Sequence, residues 1–229
     1  MKKTTVTALI VILLLIPATL FLGTKLSGKG YYLTSTLIAI ETMLPFFFLF
    51  EQRRPQAREL VTLAVMAALS VAGRVAIPLP NFKASTGIIM LTGVAFGPQA
   101  GFMTGAVAAF ASNFFYSQGP WTPWQMLAYG MAGFLAGAIF HGRKVHPLVL
   151  SVFGFVSVIV CIGPLLDCST LFTTGSRLSW TFAIAVFSAG LAHNIPHAFA
   201  TAVTLILIGT PLLRKLQRLN TKYGLMQGA

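Results

Sequence analysis

Residues 180–213 read "WTFAIAVFSAGLAHNIPHAFATAVTLILIGTPLL", and no Asp, Glu, Lys or Arg falls among them. About 20 apolar residues suffice to cross a bilayer, so this run is longer than one perpendicular span needs. Two spans of half its length would each fall short. The reading is therefore one kinked or tilted helix with Pro196 inside it. The rest of the chain has the same character. It is 56% hydrophobic and 9% charged, with 19 Phe, where a soluble domain carries about 25% charged residues. The expected fold is an all-α polytopic membrane protein built as one bundle.

Working outward, further spans are expected at Thr5–Gly23, Tyr32–Phe50, Glu59–Ile77, Gln99–Tyr116, Pro123–Phe140 and Pro147–Leu166, with a short apolar piece at Ala84–Phe96 before "GPQAG". The start, "MKKTTVTALIVILLLIPATLFLG" (1–23), has the basic head of a signal peptide. Its apolar run is long for one and no A-x-A site follows, so a retained first helix is expected. Orientation tests the list. With the amino terminus in the cytoplasm, eleven basic residues fall inside: Lys2, Lys3, Arg53, Arg54, Arg58, Arg143, Lys144, Arg214, Lys215, Arg218 and Lys222. Four fall outside: Lys25, Lys29, Lys83 and Arg177. That is the positive-inside pattern. It requires the 84–116 stretch to cross twice, giving eight crossings with both termini cytoplasmic.

The formal charge of +12 is thus explained by orientation, and nucleic acid is not an expected partner. Cys161 and Cys168 fit no metal spacing and read as two free thiols. "GTKLSGKG" (23–30) nearly spells a phosphate loop, but Gly30 stands where the magnesium-binding hydroxyl belongs and no strand precedes it. "HNIPH" (193–197) sets two histidines four apart. Asn194 replaces the glutamate of a zinc protease, Pro196 disturbs the geometry, and a third ligand is lacking. Polar residues facing the bundle interior are the expected reading. Glu41, Glu51, Glu59 and Asp167 are all the acids. No convergent acid, base and nucleophile set follows, which argues against an integral membrane enzyme.

Three polar loops fall together outside by alternation: "PLPNFK" (78–83), "SQGPWTP" (117–123) and "DCSTLFTTGSR" (167–177). Trp121, Gln125 and Tyr129 are spaced i, i+4, i+8 and share a helix face, with Trp124 beside it. Asn113 and Tyr116 end the preceding helix. An interfacial aromatic belt would explain the Trp and Tyr residues. A ligand with an apolar body and amide or hydroxyl edges would explain Gln125 and Asn113 as well. The pattern alone leaves both readings open. Arg74 lies inside a span, either snorkelling outward or facing a polar cavity. Ala64, Ala68, Ala72 and Ala76 form an i, i+4 ladder that would let another helix approach closely; Gly101, Gly105, Ala109 and Ala128, Ala132, Ala136 repeat the pattern. Spacing does not say which stripe meets a partner and which packs the bundle.

"GPWTPWQMLAYGMAGFLAG" (119–137) resembles the substrate-binding S components of energy-coupling factor (ECF) vitamin transporters. "LAVMAALSVAGRVAIPLPNFKAST" (63–86), "GVAFGPQAGFMTGAVAAFASNFF" (93–115) and "RLNTKYGL" (218–225) carry the same likeness, over roughly residues 58–225. Within that family the chain looks most like the cobalamin-specific members. The resemblance implies a six-helix S-component core at 58–229, preceded by two extra transmembrane helices at 1–57. It implies capture of a vitamin from outside by the three loops, followed by docking on a membrane T component that carries two ATPases. The chain itself would be no enzyme and hold no cofactor, cobalamin being the cargo. The alanine ladder falls where the family's docking motif does. For a corrin ring fringed with amides, Tyr116, Trp121 and Trp124 are expected against the ring. Asn81, Asn113, Gln118 and Gln125 would pair with amides, Lys83 would meet the bridging phosphate, and Asp167 belongs to the same rim. Other vitamins, a nucleobase-like cargo and a scaffolding membrane protein are the alternatives.

Overall fold

The computed structural model describes residues 10–25, 30–52, 55–174 and 179–225. Lys2, Lys3, Lys29, Arg53, Arg54, Arg177 and half of the phosphate-loop-like stretch, residues 26–29, lie outside these. Every regular element among the described residues is helical. A π-helical turn, Val11–Leu15, leads into α1 (Ile16–Lys25); α2 is Gly30–Gln52, α3 Ala57–Val75 and α4 Ser85–Phe96. Then come α5 (Pro98–Tyr116), α6 (Thr122–Phe140), α7 (Pro147–Ser157), a π-helical segment Val158–Ile162, α8 (Gly163–Thr174) and α9 (Trp180–Tyr223).

The bundle forms around α4. Its sequence, STGIIMLTGVAF, is apolar on all sides, and all twelve residues are buried, as expected of a helix without a solvent face. α3, α5, α6 and α9 pack around it. Its two threonines are bonded inside: Thr92 donates to Ile88 O at 3.0 Å and Thr86 Oγ1 lies 2.7 Å from His197 Nε2. The chain reverses at Gly97, whose φ of 96° disfavours a side chain. Pro98 then opens α5, where its missing N–H costs nothing.

α5 and α6 make the closest helix pair, and the small-residue stripes explain it. A Cβ on Gly133 would run into the Gly101 carbonyl, and one on Gly105 into that of Tyr129. Gly101, Gly105, Ala109, Ala128, Ala132 and Ala136 are all buried. The stripe of α3 behaves differently: Ala64, Ala68, Ala72 and Ala76 all face outward. Packing thus separates three stripes that spacing leaves equivalent.

The outer surface is apolar. Val61 on α3 is 63% exposed, Val160 70% and Leu207 on α9 68%. Large aliphatic side chains outside, with Ser, Thr and Asn buried within, are the pattern of a chain solvated by lipid. Among the described residues, helices at 33–52, 147–173 and 180–223 are each long and apolar enough to cross a membrane. α3, α5 and α6 have 19 residues each, about 28 Å of helix, but spend them on Ala and Gly for packing. This is a multi-pass membrane protein.

Two expected boundaries are corrected. Residues 167–174 are helical, not loop: α8 continues the α7 axis to Thr174. Its hydroxyls bond back to the helix, Ser169 to Leu166 O at 2.7 Å and Thr173 to Ser169 O at 2.6 Å, so a polar-looking stretch loses nothing by staying helical. The final apolar run does form one helix, yet at 44 residues, with Pro196 and Pro211 inside, it extends through the basic tail. At about 66 Å it exceeds the roughly 30 Å hydrocarbon core.

Candidate ligand cavity

Alternation brings the carboxyl ends of α3, α5 and α8 to one end of the bundle, with the starts of α4, α6 and α9. The opposite end gathers Arg58 at the start of α3 with Leu219 and Tyr223 of α9, and His141 after α6 with Val94 O of α4 at 3.1 Å. Arg143, Lys144, Arg214, Lys215, Arg218 and Lys222 belong to that second end by position. The first end holds a cavity of about 770 Å³.

One wall is α3 and the loop after it. Ala84 N returns to Gly73 O at 3.2 Å, and Lys83 Nζ donates to Ile77 O, two residues past the end of α3, where a cation suits the helix's carboxyl end. Asn81 has φ 56°, a left-handed turn conformation that asparagine tolerates. Both residues line the cavity, as do Pro78 and Pro80. Arg74 faces it too, which decides between the two readings of that charge. Its Nη1 donates to Ser112 Oγ and, at 3.1 Å, to Asn113 Oδ1. The guanidinium lies 4.9 Å from the Tyr116 ring centroid and 5.6 Å from that of Tyr129, within cation–π range.

The second wall is the α5–α6 corner. Tyr116 OH donates to Arg74 O at 2.9 Å, tying the two helix ends while its ring stays on the cavity. Ser117 turns the chain at φ 74°, uncommon for a residue with a side chain. Pro123 sits in the first turn of α6. Trp121, Gln125 and Tyr129, the face expected from their spacing, all line the cavity.

The third wall is an α8–α9 hairpin. Asp167 Oδ2 accepts from Asn194 Nδ2 at 2.9 Å. The helices interlock here: a Cβ on Gly163 would strike the Asn194 side chain, and one on Gly190 would strike Asp167. The π-helical segment inserts just before α8 and resets which residues of the continuing helix face inward. On the floor, His197 Nε2 lies 2.7 Å from Thr86 Oγ1, its ring centroid 6.0 Å from that of Tyr129.

Of the expected rim residues, the cavity brings together Asn81, Lys83, Tyr116, Trp121, Gln125 and Asp167. Three others do not line it. Asn113 is 1% exposed and spends its amide on Thr122 Oγ1 at 3.1 Å and Gln125 Oε1 at 2.7 Å. Gln118 braces the turn, donating to Phe110 O and accepting from Thr122, each at 2.9 Å. Trp124 is buried and stacked on Phe172 at 5.8 Å between centroids, a wedge between α6 and α8. Thr170, Thr173, His193, Asn194 and His197 line the cavity without having been singled out as rim residues. For the last three the signal was present, since HNIPH is polar inside an apolar run. The threonines fall in the 167–177 stretch expected at the rim, and its helical form selects which of its residues face the hollow.

Aromatic rings, amides, two cations and one carboxylate line one hollow of about 770 Å³, a lining of the kind that ligand pockets carry. Residues 55–218, more than half of the chain, match the family described as ECF-type riboflavin transporter, S component. A UPF0397 protein of Streptococcus gordonii is 29% identical over 185 residues, covering 73% of this chain and 91% of its own. No solved structure matches.

Proposed function

We propose, on the premise that the chain belongs to the ECF-type riboflavin transporter S component family, that it captures a water-soluble vitamin outside the cell and delivers it through a T component driven by two ATPases. The single observation that carries this is the cavity of about 770 Å³ at one end of the bundle. Ligand pockets run from about 300 to 1,000 Å³, so it suits one vitamin. Seven of the ten basic residues among the described ones, Arg58, Arg143, Lys144, Arg214, Lys215, Arg218 and Lys222, belong to the other end, which supports an outward-facing mouth.

The cargo is a flavin-class vitamin. The family's description names riboflavin. The lining offers aromatic faces at Tyr116 and Trp121 for a flat ring, and amides at Gln125, Asn81 and Asn194 for its carbonyl, imide and hydroxyl edges. The second reading is a corrinoid such as cobalamin, favoured by the sequence likeness. It has several times the bulk of a flavin, so it would seat one edge in the cavity and leave the rest above the rim.

The outward alanine ladder Ala64, Ala68, Ala72 and Ala76 is the docking face for the T component. Small side chains let a partner helix approach closely, and lipid is easily displaced from them. Two measurements test the proposal. Purified protein should bind one member of a labelled vitamin panel saturably, riboflavin ahead of cobalamin. It should also co-purify with a T component and two ATPases when these are expressed together. Binding of no vitamin, with no ATPase recovered, would overturn it.

A further inference from the structure

We propose that the cargo of this cavity carries an anionic group, a phosphate or carboxylate, held by Arg74 with Lys83 beside it; this rests on the substrate-capture reading above. The chain has four acidic side chains, and all four are accounted for. Glu41 accepts from Thr19 on α1. Glu51 is exposed near the end of α2. Glu59 caps the far end of α3, accepting from Gln56 N at 3.2 Å. Asp167 is bonded to Asn194 on the opposite wall. None pairs with Arg74 or Lys83.

Both cations are instead held by neutral oxygens. Arg74 Nη1 has Ser112 and Asn113, Lys83 Nζ has Ile77 O, and Lys83 Nζ lies 6.0 Å from the same Tyr116 ring that Arg74 covers. Neutral acceptors fix the position of a guanidinium without neutralising it. Its fork has five donors, and the bonds to Ser112 and Asn113 both come from Nη1. A planar fork of that kind matches a carboxylate or phosphate in two-point contact. A half-buried cation without a counter-charge is costly to keep. A neutral ligand would be served as well by an amide, at lower cost. The charge is therefore explained by a ligand that supplies the missing anion. The lone carboxylate, Asp167, stands on the α8 wall beside His193 and Asn194, so the cavity is polarised. The cargo's N–H or O–H edge belongs there and its anion at α3.

The test uses full-length protein in nanodiscs and matched pairs of probes: riboflavin with riboflavin 5′-phosphate, thiamine with thiamine monophosphate, and cobinamide with cobalamin. Within whichever class binds, the phosphorylated member should bind at least about tenfold more tightly, the scale of one charge-assisted hydrogen-bonded pair. Raising salt should weaken that member more than its unphosphorylated partner, and inorganic phosphate should compete with it. Arg74→Gln should erase the ratio between the two members, whatever it does to the unphosphorylated one, and Arg74→Lys should restore part of that ratio. Lys83→Gln, on the half-buried loop after α3, gives a second variant that keeps a donor for Ile77 O; it should reduce the preference by a smaller factor. Equal affinity for both members, with equal losses in Arg74→Gln, overturns the inference and leaves vitamin capture standing. Binding of no member overturns vitamin capture and the inference with it.

Discussion

Replacing Asn113 with leucine should loosen the cavity end of the bundle more than its modest change in shape suggests. Asn113 joins three elements. Its amide nitrogen donates to Thr122 Oγ1 at 3.1 Å and Gln125 Oε1 at 2.7 Å, and its Oδ1 accepts from Arg74 Nη1 at 3.1 Å. Thr122 passes the network on to Gln118 at 2.9 Å and takes Gly119 N at 3.2 Å. Two neutral bonds at about 1 kcal/mol each and one to a cation at roughly 2 make about 4 kcal/mol lost. Burying the leucine returns about 1–2 kcal/mol, so the net loss is about 2–3 kcal/mol. Gln125 and Arg74 also lose the partner that aims them, so ligand affinity should fall by about tenfold or more. Equilibrium unfolding in micelles, followed by tryptophan fluorescence, measures the first number, and titration with the bound vitamin measures the second. Val107→Leu, on the outward face of α5, is the control and should change neither. A stability loss under about 1 kcal/mol with unchanged affinity would refute the idea that this network sets the geometry of the site.

Three further outcomes are expected. Ala68→Leu adds a side chain to an outward face, so vitamin binding should persist while co-purification with the T component and ATPases is lost; an intact complex would move docking to another surface. Gly133→Val drives a branched side chain into the Gly101 backbone, a cost of about 3 kcal/mol or more, and should leave little monodisperse protein on size exclusion, whereas Ala72→Val should elute like the parent. Trp124→Phe removes an indole N–H that is buried without a partner, so the melting temperature should hold or rise, with vitamin affinity within about twofold; a tenfold loss would return Trp124 to the site.

The cavity was legible where helical periodicity and chemistry coincided. Trp121, Gln125 and Tyr129 share a face because 3.6 residues make a turn, and that face is the one that meets the hollow. Asn113 and Trp124 show the limit of the same logic. An amide near a rim can serve the ligand or hold the residue that does, and a tryptophan can line a hollow or wedge two helices apart. Which of these holds depends on what lies across the gap. For Asn113 that is Arg74, 39 positions away in sequence.

From the sequence alone come the membrane bundle, the number and rough extent of most helices, and the gathering of three polar segments at one end. These follow from hydrophobic run length, charge placement and alternation, all of which are local or additive. Tertiary structure alone decided which small-residue stripe is open and which are closed, because Ala64–Ala76 and Gly101–Ala109 are equal until a neighbouring helix covers one of them. It also decided that Asp167 stands on a helix and that Arg74 faces the hollow without an acidic partner. Those facts depend on which backbones approach closely enough for a Cβ to matter, and contact between distant parts of the chain is written in no single stretch of it.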